Sequence, residues 1–393
     1  MLAGTSPTDI LAELVAVRTV NPPGEEAQLA EALGARLANA GFEVSLQEVA
    51  AGRCNLVATL RNGEGPSFLL NTHLDTVPAG ENWTRDPFRP QIEQGRLYGR
   101  GACDAKGSLA AMLAAALSLG QDRSSWSGTL LVVFVVDEEA ASLGAKHYAR
   151  HGPAPDFVVV GEPTGNRVVT AHRGSLRPLV RVEGRAAHSS TPEEGVNAVF
   201  AAAGLLDRLA QEGARLSRTR HPLCGSPSLT VTRIAGGRAD NVVPDRCEIL
   251  IDRRLVPGES MAEVARELVV LVADVAAEAG VPMDIGEWRE TTGGPTETPA
   301  DGPLVRAALA TLAAHGVSPA GPGGFSGACD LVHFNAMGAQ GIVLGPGDLA
   351  LAHGPDEYVP IAELDAAAAI YADLARRLLV PHAPVRSPSG PDR

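Results

Sequence analysis

The stretch Ser67-Phe-Leu-Leu-Asn-Thr-His-Leu-Asp-Thr-Val-Pro78 joins a short apolar strand to two polar side chains that can bind a metal. His73 and Asp75 come at the end of this strand, one residue apart. A neutral imidazole and a carboxylate can both bind a divalent cation, or one can bind it while the other orients the first. Alone, the pair is a weak signal, because most such side chains are loop groups in ordinary hydrogen bonds.

Three later strands also end in polar groups, which strengthens the signal. The uninterrupted apolar run Thr129–Val136, for example, stops at a pair of glutamates, and helical patterns alternate with the strands. This order predicts an α/β fold with an open, mostly parallel sheet, in which ligands sit outside the carboxyl ends of the strands. The strand-end groups are His73, Asp75, Asp104, Glu138, Glu139, Glu162 and His353.

The pattern changes at about Arg173, where a second domain is predicted. The segments up to Trp288 follow the order β-α-β-β-α-β, the split βαβ or ferredoxin-like arrangement. The α/β pattern then resumes. We therefore predict a catalytic, metal-binding domain formed by residues 1–172 and 289–393, with an inserted domain of residues 173–288. The proline-rich tail Pro381–Arg393 is expected to be frayed.

Composition limits the partners and the compartment. Net charge is −13 and the chain contains no basic run, which argues against nucleic acid or an anionic membrane as a partner. The five cysteines are widely spaced and form no Cys-x-x-Cys pair, so neither a disulfide framework nor a thiolate zinc site is expected. The longest apolar run, Leu109–Leu119, is too short to span a bilayer. A cytoplasmic protein that binds small molecules and metal is predicted.

The strand-end groups supply the chemistry of a metal-dependent hydrolase. Imidazoles and carboxylates without a thiolate suit zinc, with cobalt or manganese as alternatives. Enough oxygens are present for two ions bridged by one carboxylate, and ions roughly 3.5–4 Å apart would polarise a carbonyl and activate a shared water. A carboxylate that is not a ligand must then accept the proton of that water. Glu138 and Glu139 could divide these two roles.

Several motifs occur together in a fixed order along the chain. They are His73-Leu-Asp75-Thr, Gly99-Arg-Gly-Ala-Cys-Asp104-Ala-Lys-Gly107, Asp137-Glu138-Glu139 with Gly144-Ala145, Gly161-Glu162-Pro163-Thr164, Ala187-His188-Ser189-Ser190, and Gly345-Pro-Gly with Ala352-His353 and Asp356-Glu357-Tyr358-Val359. In these motifs the chain resembles the M20 metallopeptidases, most of all the acetylornithine deacetylase/succinyl-diaminopimelate desuccinylase group. The resemblance spans nearly the whole chain. Ala140 and Gly354 depart from the family pattern without removing a functional group.

The resemblance implies five ligands for two metal ions. Asp104 would bridge the ions, His73 and Glu162 would hold one of them, and Glu139 and His353 would hold the other. It also implies that the peptide bond after Asp104 is cis.

The remaining catalytic roles also follow from the resemblance. Glu138 would be the general base, and Asp75 would orient the ring of His73. The inserted domain resembles the family's lid and dimerisation domain. A homodimer is therefore expected, in which His188 reaches the partner's active site and stabilises the oxyanion.

Four residues are candidate substrate contacts. Arg254 shares one face of its strand with Asp252, and a guanidinium there suits a substrate carboxylate. Similar enzymes use an arginine at this position. Asn241, Ser326 and Gly327 are further candidates, of which the first is equally a turn former.

The predicted function is metal-dependent hydrolysis of the amide bond of an N-acyl amino acid or a related small compound. A metallocarboxypeptidase or dipeptidase on the same scaffold is the alternative, because the sequence does not define the substrate pocket in which these enzymes would differ. A non-catalytic binding protein is a third reading, which a missing ligand or base would favour. Neither the acyl group, the amino acid, the pathway nor the physiological metal follows from the sequence.

Overall fold

A computed structural model of the chain describes residues 4–317 and 321–380, so the proline-rich tail predicted to be frayed lies outside the described residues. The chain divides into two compact units. The first unit comprises Met1–Thr170, Thr298–Gly323 and His333–Arg393, and the second comprises Ala171–Glu297 and Gly324–Val332.

Helices and strands alternate along most of the chain. The α-helices are α1 (Pro7–Ala16), α2 (Ala27–Asn39), α3 (Lys106–Gln121), α4 (Leu143–His151), α5 (Ala198–Leu216), α6 (Met261–Ala279), α7 (Pro303–Ala314), α8 (Leu331–Ala336) and α9 (Ile361–Leu378). The strands are β1 (Glu43–Ala50), β2 (Arg53–Asn62), β3 (Ser67–His73), β4 (Gln91–Glu93), β5 (Arg96–Tyr98), β6 (Gly128–Val135), β7 (Phe157–Val160), β8 (Val169–His172), β9 (Gly174–Glu183), β10 (Ser228–Gly236), β11 (Arg246–Leu255), β12 (Met283–Arg289), β13 (Thr296–Glu297), β14 (Gly323–Phe325), β15 (Gln340–Val343) and β16 (Tyr358–Pro360).

The first unit is built on a large mixed sheet that contains the order β1-β2-β6-β3-β7-β15-β8. Its centre is parallel, since β3 runs parallel to β6 and β7, and β15 runs parallel to β7. The strands β1, β2 and β8 pair antiparallel towards the two edges. Nearly every residue of β3 and β6 is buried, as expected for strands covered on both faces. The predicted α/β fold is confirmed.

Helix α3 packs against α1 and α9 in the core of the first unit. It is buried around most of its circumference, and many of its residues are alanine or glycine, whose small size lets neighbouring elements approach closely. The helix begins at Lys106, two residues after Asp104. The core therefore anchors the chain directly after one of the predicted metal ligands.

The second unit contains a four-stranded antiparallel sheet in the order β10-β11-β9-β12. With α5 after β9 and α6 after β11, this is the predicted β-α-β-β-α-β arrangement. Both helices contribute apolar side chains to one core with the sheet, including Leu205, Val272 and Ile249.

Several of the short strands were not predicted from the sequence, although β7 and β15 were. Strands β4, β8, β13, β14 and β16 have two to four residues each, too few for an apolar period to show. One of them matters for the site, because β16 pairs with β5 and so brings Glu357 beside the segment that carries Asp104. Of the helices in the described part of the chain, none is long and apolar enough to cross a membrane.

Candidate metal centre

The predicted ligands of the first unit meet at one edge of its sheet. His73 is the last residue of β3, the two glutamates 138 and 139 follow β6, and Glu162 follows β7. Because β3 pairs in parallel with both β6 and β7, the carboxyl ends of these strands lie side by side. Asp104 precedes α3, and His353 lies between β15 and β16.

Asp104 lies at the centre of the cluster. Its Oδ1 is 3.2 Å from Nε2 of His73, and its Oδ2 is 3.3 Å from Nε2 of His353. The same nitrogen of His353 is 3.0 Å from Oε2 of Glu139. One carboxylate thus contacts both imidazoles, each through a different oxygen.

Two groups of side chains have ligand atoms close enough to hold an ion. Atoms of His73, Asp104 and Glu139 lie within 4.8 Å of one another, and so do atoms of His73, Glu138 and Glu162. Nitrogen and carboxylate oxygens without a thiolate fit zinc, cobalt or manganese. The second group also includes Glu138, so the predicted base lies within reach of the same centre.

The electrostatics of the cluster favour a bound cation. Hydrogen bonds to Asp104 and Glu139 raise the pKa of His353 to about 10. Burial alone would lower the pKa of His73, but Asp104, Asp75 and Glu162 hold it well above its usual value. Among residues 4–317 and 321–380, Oε1 of Glu139 has no hydrogen-bond partner although it is buried. A divalent ion would satisfy this oxygen and take over the role of the imidazole protons.

Asp75 has more contacts than its predicted role required. Nδ1 of His73 is 2.9 Å from the backbone oxygen of Asp75 and 3.5 Å from its Oδ1, so main chain and side chain both face the ring. The carboxylate also accepts hydrogen bonds from the backbone N–H groups of Glu138 and Glu139, at 3.2 and 3.3 Å. Although burial would raise the pKa of Asp75, His73, the amide of Asn21 and the backbone N–H of Glu138 hold it below its usual value. Asp75 therefore fixes both the imidazole and the turn that carries the two glutamates.

A buried ion pair between Arg100 and Glu357 supports two other ligands. Glu357 accepts the backbone N–H groups of Cys103 and Asp104, at 2.8 and 3.0 Å. Arg100 pairs with Glu357 and donates through Nη2 to the backbone oxygen of His353, at 3.1 Å. Glu357 lies within one of the sequence motifs, but the sequence alone predicted no role for it. The peptide bond after Asp104 is cis, which confirms that prediction.

The predicted oxyanion residue and three candidate substrate contacts lie in the second unit. His188 is exposed, with Nδ1 at 2.7 Å from Oγ of Ser190. The backbone N–H of the next residue, Ser189, donates to the backbone oxygen of Asn241 at 3.0 Å, so the loop that carries His188 and the loop that carries Asn241 are held together. Ser326 is exposed and Gly327 is half-buried, in the segment that follows β14.

The arginine predicted to bind a carboxylate lies on the more open face of β11. Asp252 holds Arg254 through a contact of 2.6 Å and Arg177 of the neighbouring strand through one of 3.0 Å. Arg253 points to the opposite, buried face and pairs there with Glu259. The alternation of β11 thus separates the two neighbouring arginines, as the strand period requires.

Comparison with known proteins assigns the family. The model of peptidase family M20/M25/M40 matches residues 69–377. A succinyl-diaminopimelate desuccinylase of Stenotrophomonas maltophilia (strain R551-3) is 35% identical over 390 residues, which cover 95% of this chain and 99% of that protein. An acetylornithine deacetylase of Proteus mirabilis (strain HI4320) is 32% identical over 332 residues, 83% of each chain.

The fold is shared with a solved member of the same family. The M20 family metallo-carboxypeptidase of Sulfolobus solfataricus superimposes with a TM-score of 0.80 at 19% identity, covering 94% of this chain and 98% of that one. The protein belongs to the M20 peptidase family, whose members are metal-dependent hydrolases of amide bonds, and it is an enzyme. The resemblance inferred from the motifs is confirmed.

Metal binding should release protons from the two imidazoles. With a pKa of about 10, the ring of His353 is expected to carry a proton at neutral pH in the metal-free protein, and the raised pKa of His73 favours the protonated form of that ring as well. A ring nitrogen must lose its proton to bind a metal, so metal affinity should rise as pH increases from neutral towards the pKa of His353. Isothermal titration of zinc into metal-free protein, in buffers of different ionisation enthalpy, measures the protons released.

The variant His353→Gln provides the control, because it lacks one of the two titrating rings. It should release about one proton fewer than the wild type at the same pH. A binding enthalpy that is the same in every buffer would contradict the protonation inferred for these histidines.

Proposed function

We propose that the protein hydrolyses the amide bond of an N-acyl amino acid or a closely related compound, using two divalent metal ions. The observation that carries this proposal is the meeting of five nitrogen and oxygen ligand side chains and Glu138 at one sheet edge. Zinc is the first choice of metal, and cobalt or manganese would suit the same donors. The 35% identity to a desuccinylase over almost the full length supports this substrate class.

The five ligands divide between two ions in this proposal. Asp104 would be shared by both ions, His73 and Glu162 would hold one, and Glu139 and His353 would hold the other. Bound metal would polarise the amide carbonyl and lower the pKa of the attacking water. The contacts of Asp104 with both imidazoles through separate oxygens support the bridging role.

Glu138 acts as general base and then as general acid. Its carboxylate takes the proton of the attacking water and passes it to the departing amine nitrogen. A carboxylate oxygen of Glu138 lies within 4.8 Å of ligand atoms of His73 and Glu162, and its backbone N–H is held by Asp75. The position of the base is therefore fixed by the same residue that orients a metal ligand.

Residues of the second unit bind the substrate in this proposal. Arg254 pairs with the carboxylate of the amino acid, a recognition that suits a planar guanidinium. Asp252 restricts the rotation of Arg254 through their contact of 2.6 Å, which reduces the entropy lost on binding. Asn241, Ser326 and Gly327 line the substrate site.

The enzyme acts as a cytoplasmic homodimer, so that His188 serves the partner's active site. The second unit carries exposed apolar groups suited to such an interface. Phe200 on α5 is 78% exposed, and Ile234 is 49% exposed on β10, an edge strand of the antiparallel sheet. Unpaired edges and exposed aromatic side chains both favour association with a second chain.

A turnover screen tests the substrate class. Acetyl-, formyl- and succinyl-amino acids and simple dipeptides are offered to the protein with zinc, cobalt or manganese. Hydrolysis of N-acyl amino acids in preference to dipeptides is expected. The reverse preference would favour the carboxypeptidase or dipeptidase alternative, and activity that survives complete metal removal would overturn both.

The variant Glu138→Gln should lose turnover and keep its metals. The amide has the size of the carboxylate but cannot accept the proton of the water, so kcat should fall about 100- to 10,000-fold. Metal analysis should still find two ions per chain. Glu64→Gln, at an exposed position, is the matched control and should retain wild-type kcat. A Glu138→Gln enzyme with wild-type kcat would refute the base assignment.

The variant His188→Ala should lower kcat about 100- to 1,000-fold with metal content unchanged, because it removes an oxyanion donor rather than a ligand. His151→Ala, also at an exposed histidine, is the control. Loss of metal in His188→Ala would refute the assignment.

Mixing His188→Ala with Glu138→Gln tests whether this histidine acts across the dimer. In a mixed dimer, one active site combines an intact Glu138 with an intact His188 from the partner. Activity should therefore return after the two variants are unfolded and refolded together. Mixed dimers that stay inactive would rule out the role in trans.

A further inference from the structure

The chain before β1 forms part of the support of the metal centre. Residues 19–21 run beside residues 74–76 and are joined to them by three hydrogen bonds besides that of the Asn21 side chain. The backbone N–H of Thr76 donates to the oxygen of Thr19 at 2.9 Å, and that of Asn21 donates to the oxygen of Thr76 at 2.8 Å. The hydroxyl of Thr19 donates to the oxygen of Leu74 at 2.7 Å. These bonds flank Asp75 on both sides and fix the backbone of Asn21 next to it.

The side chain of Asn21 joins two buried carboxylates. Its Nδ2 donates to Oδ2 of Asp75 at 2.8 Å and to Oδ1 of Asp137 at 2.9 Å. All three residues are buried. An amide supplies two N–H donors without a charge, whereas a carboxylate at the same place would add a third negative group. The position therefore requires a neutral double donor.

Arg53 completes the chain of contacts on the other side of Asp137. Its Nη1 donates to Oδ1 of Asp137 at 2.7 Å, and its Nε donates to Oε2 of Glu26 at 3.0 Å. Glu26 is fully buried, and Arg53 is buried as well. A buried carboxylate is costly without a partner, so Arg53 stabilises both acids and holds them in place.

The contacts converge on the turn that carries the two glutamates. Asp137 begins this turn in a left-handed conformation, with φ of 69°. Asp75 accepts the backbone N–H groups of the next two residues, Glu138 and Glu139. Asn21 donates to both aspartates at once. It therefore links Asp137, the first residue of the turn, to Asp75, the carboxylate that accepts hydrogen bonds from the next two residues of the turn.

We propose that Asn21, supported by the pair of Glu26 and Arg53, is a positioning residue for the general base and for the ligands attached to the same turn. The proposal rests on the function proposed above for Glu138. Asn21, Glu26 and Arg53 all precede residue 69, where the family match begins. They contact neither substrate nor metal in this proposal and act through Asp75 and Asp137.

The test compares Asn21→Asp with Asn39→Asp, an equal change of charge at an exposed position of α2. We expect Asn21→Asp to lower kcat by about 10- to 100-fold, the range found when residues that orient metal ligands are changed. KM should stay within about twofold, because the substrate-binding side chains are untouched. Asn39→Asp should match the wild type.

Cobalt supplies a readout that does not depend on turnover. The absorption spectrum of cobalt titrated into metal-free protein reports the ligand geometry at the bound ions, including the positions of His73 at one ion and Glu139 at the other. We expect a changed spectrum for Asn21→Asp and also for Asn21→Ala, which removes the donors without adding a charge. Thermal unfolding of each variant gives the fraction that is folded at the assay temperature.

Three results would overturn the proposal. The first is a wild-type kcat and cobalt spectrum in both Asn21 variants, and the second is an equal loss of kcat in Asn39→Asp. The third is a loss of kcat that the folded fraction explains completely, with an unchanged cobalt spectrum for the folded protein. If the wild type hydrolyses no amide, the function proposed above fails, and the cobalt spectra still decide whether Asn21 positions the turn.

Discussion

The metal centre concentrates buried negative charge at one sheet edge, and much of the surrounding structure compensates for it. Asp75, Asp104 and Glu162 are buried within the same cluster. A carboxylate in a medium of low dielectric constant is costly unless it has hydrogen-bond donors or a cation beside it. The chain supplies backbone N–H groups, one amide and two arginines, and the metal ions would supply the remaining positive charge. The compensation explains why so many polar contacts surround a small number of ligands.

The two arginines stabilise different parts of the cluster. Arg100 pairs with Glu357 and so fixes the backbone at Asp104 and His353. Arg53 pairs with Asp137 and holds the turn that leads to the glutamates. In each case a buried cation contacts a carboxylate that is not one of the proposed ligands, so the cation would not compete with a metal for the oxygens of those ligands. The proposed ligands are thus oriented without losing their negative charge to a neighbouring guanidinium.

The fold and the candidate side chains at the strand ends could be predicted from local patterns in the sequence, whereas the roles of the five proposed ligands came from the family motifs. His73 ends an apolar strand and Glu162 follows another, and the parallel centre of the sheet brings these ends together. The supporting residues leave no such pattern. In the sequence, Arg53 resembles an ordinary surface residue at the start of a strand. Asn21 precedes two prolines, which is typical of a residue that forms a turn. Their partners lie 84 and 116 residues away in the chain, so only the folded structure shows the contacts.

The amino-terminal part of the chain is tied to the site at more than one place, although the family match begins after it. Lys106, the first residue of α3, is fully buried and donates through Nζ to the backbone oxygens of Leu14 and Val17, at 3.0 and 2.6 Å. These carbonyls belong to the last turn of α1 and to its C-cap residue Val17, and that of Leu14 also accepts a hydrogen bond from the backbone N–H of Val17 at 3.1 Å. Lys106 lies two residues after Asp104, so the bond joins the end of α1 to the segment that carries the central carboxylate. Together with the contacts of Asn21 and Arg53, these bonds make the chain between Leu14 and Arg53 a structural support of the candidate metal centre.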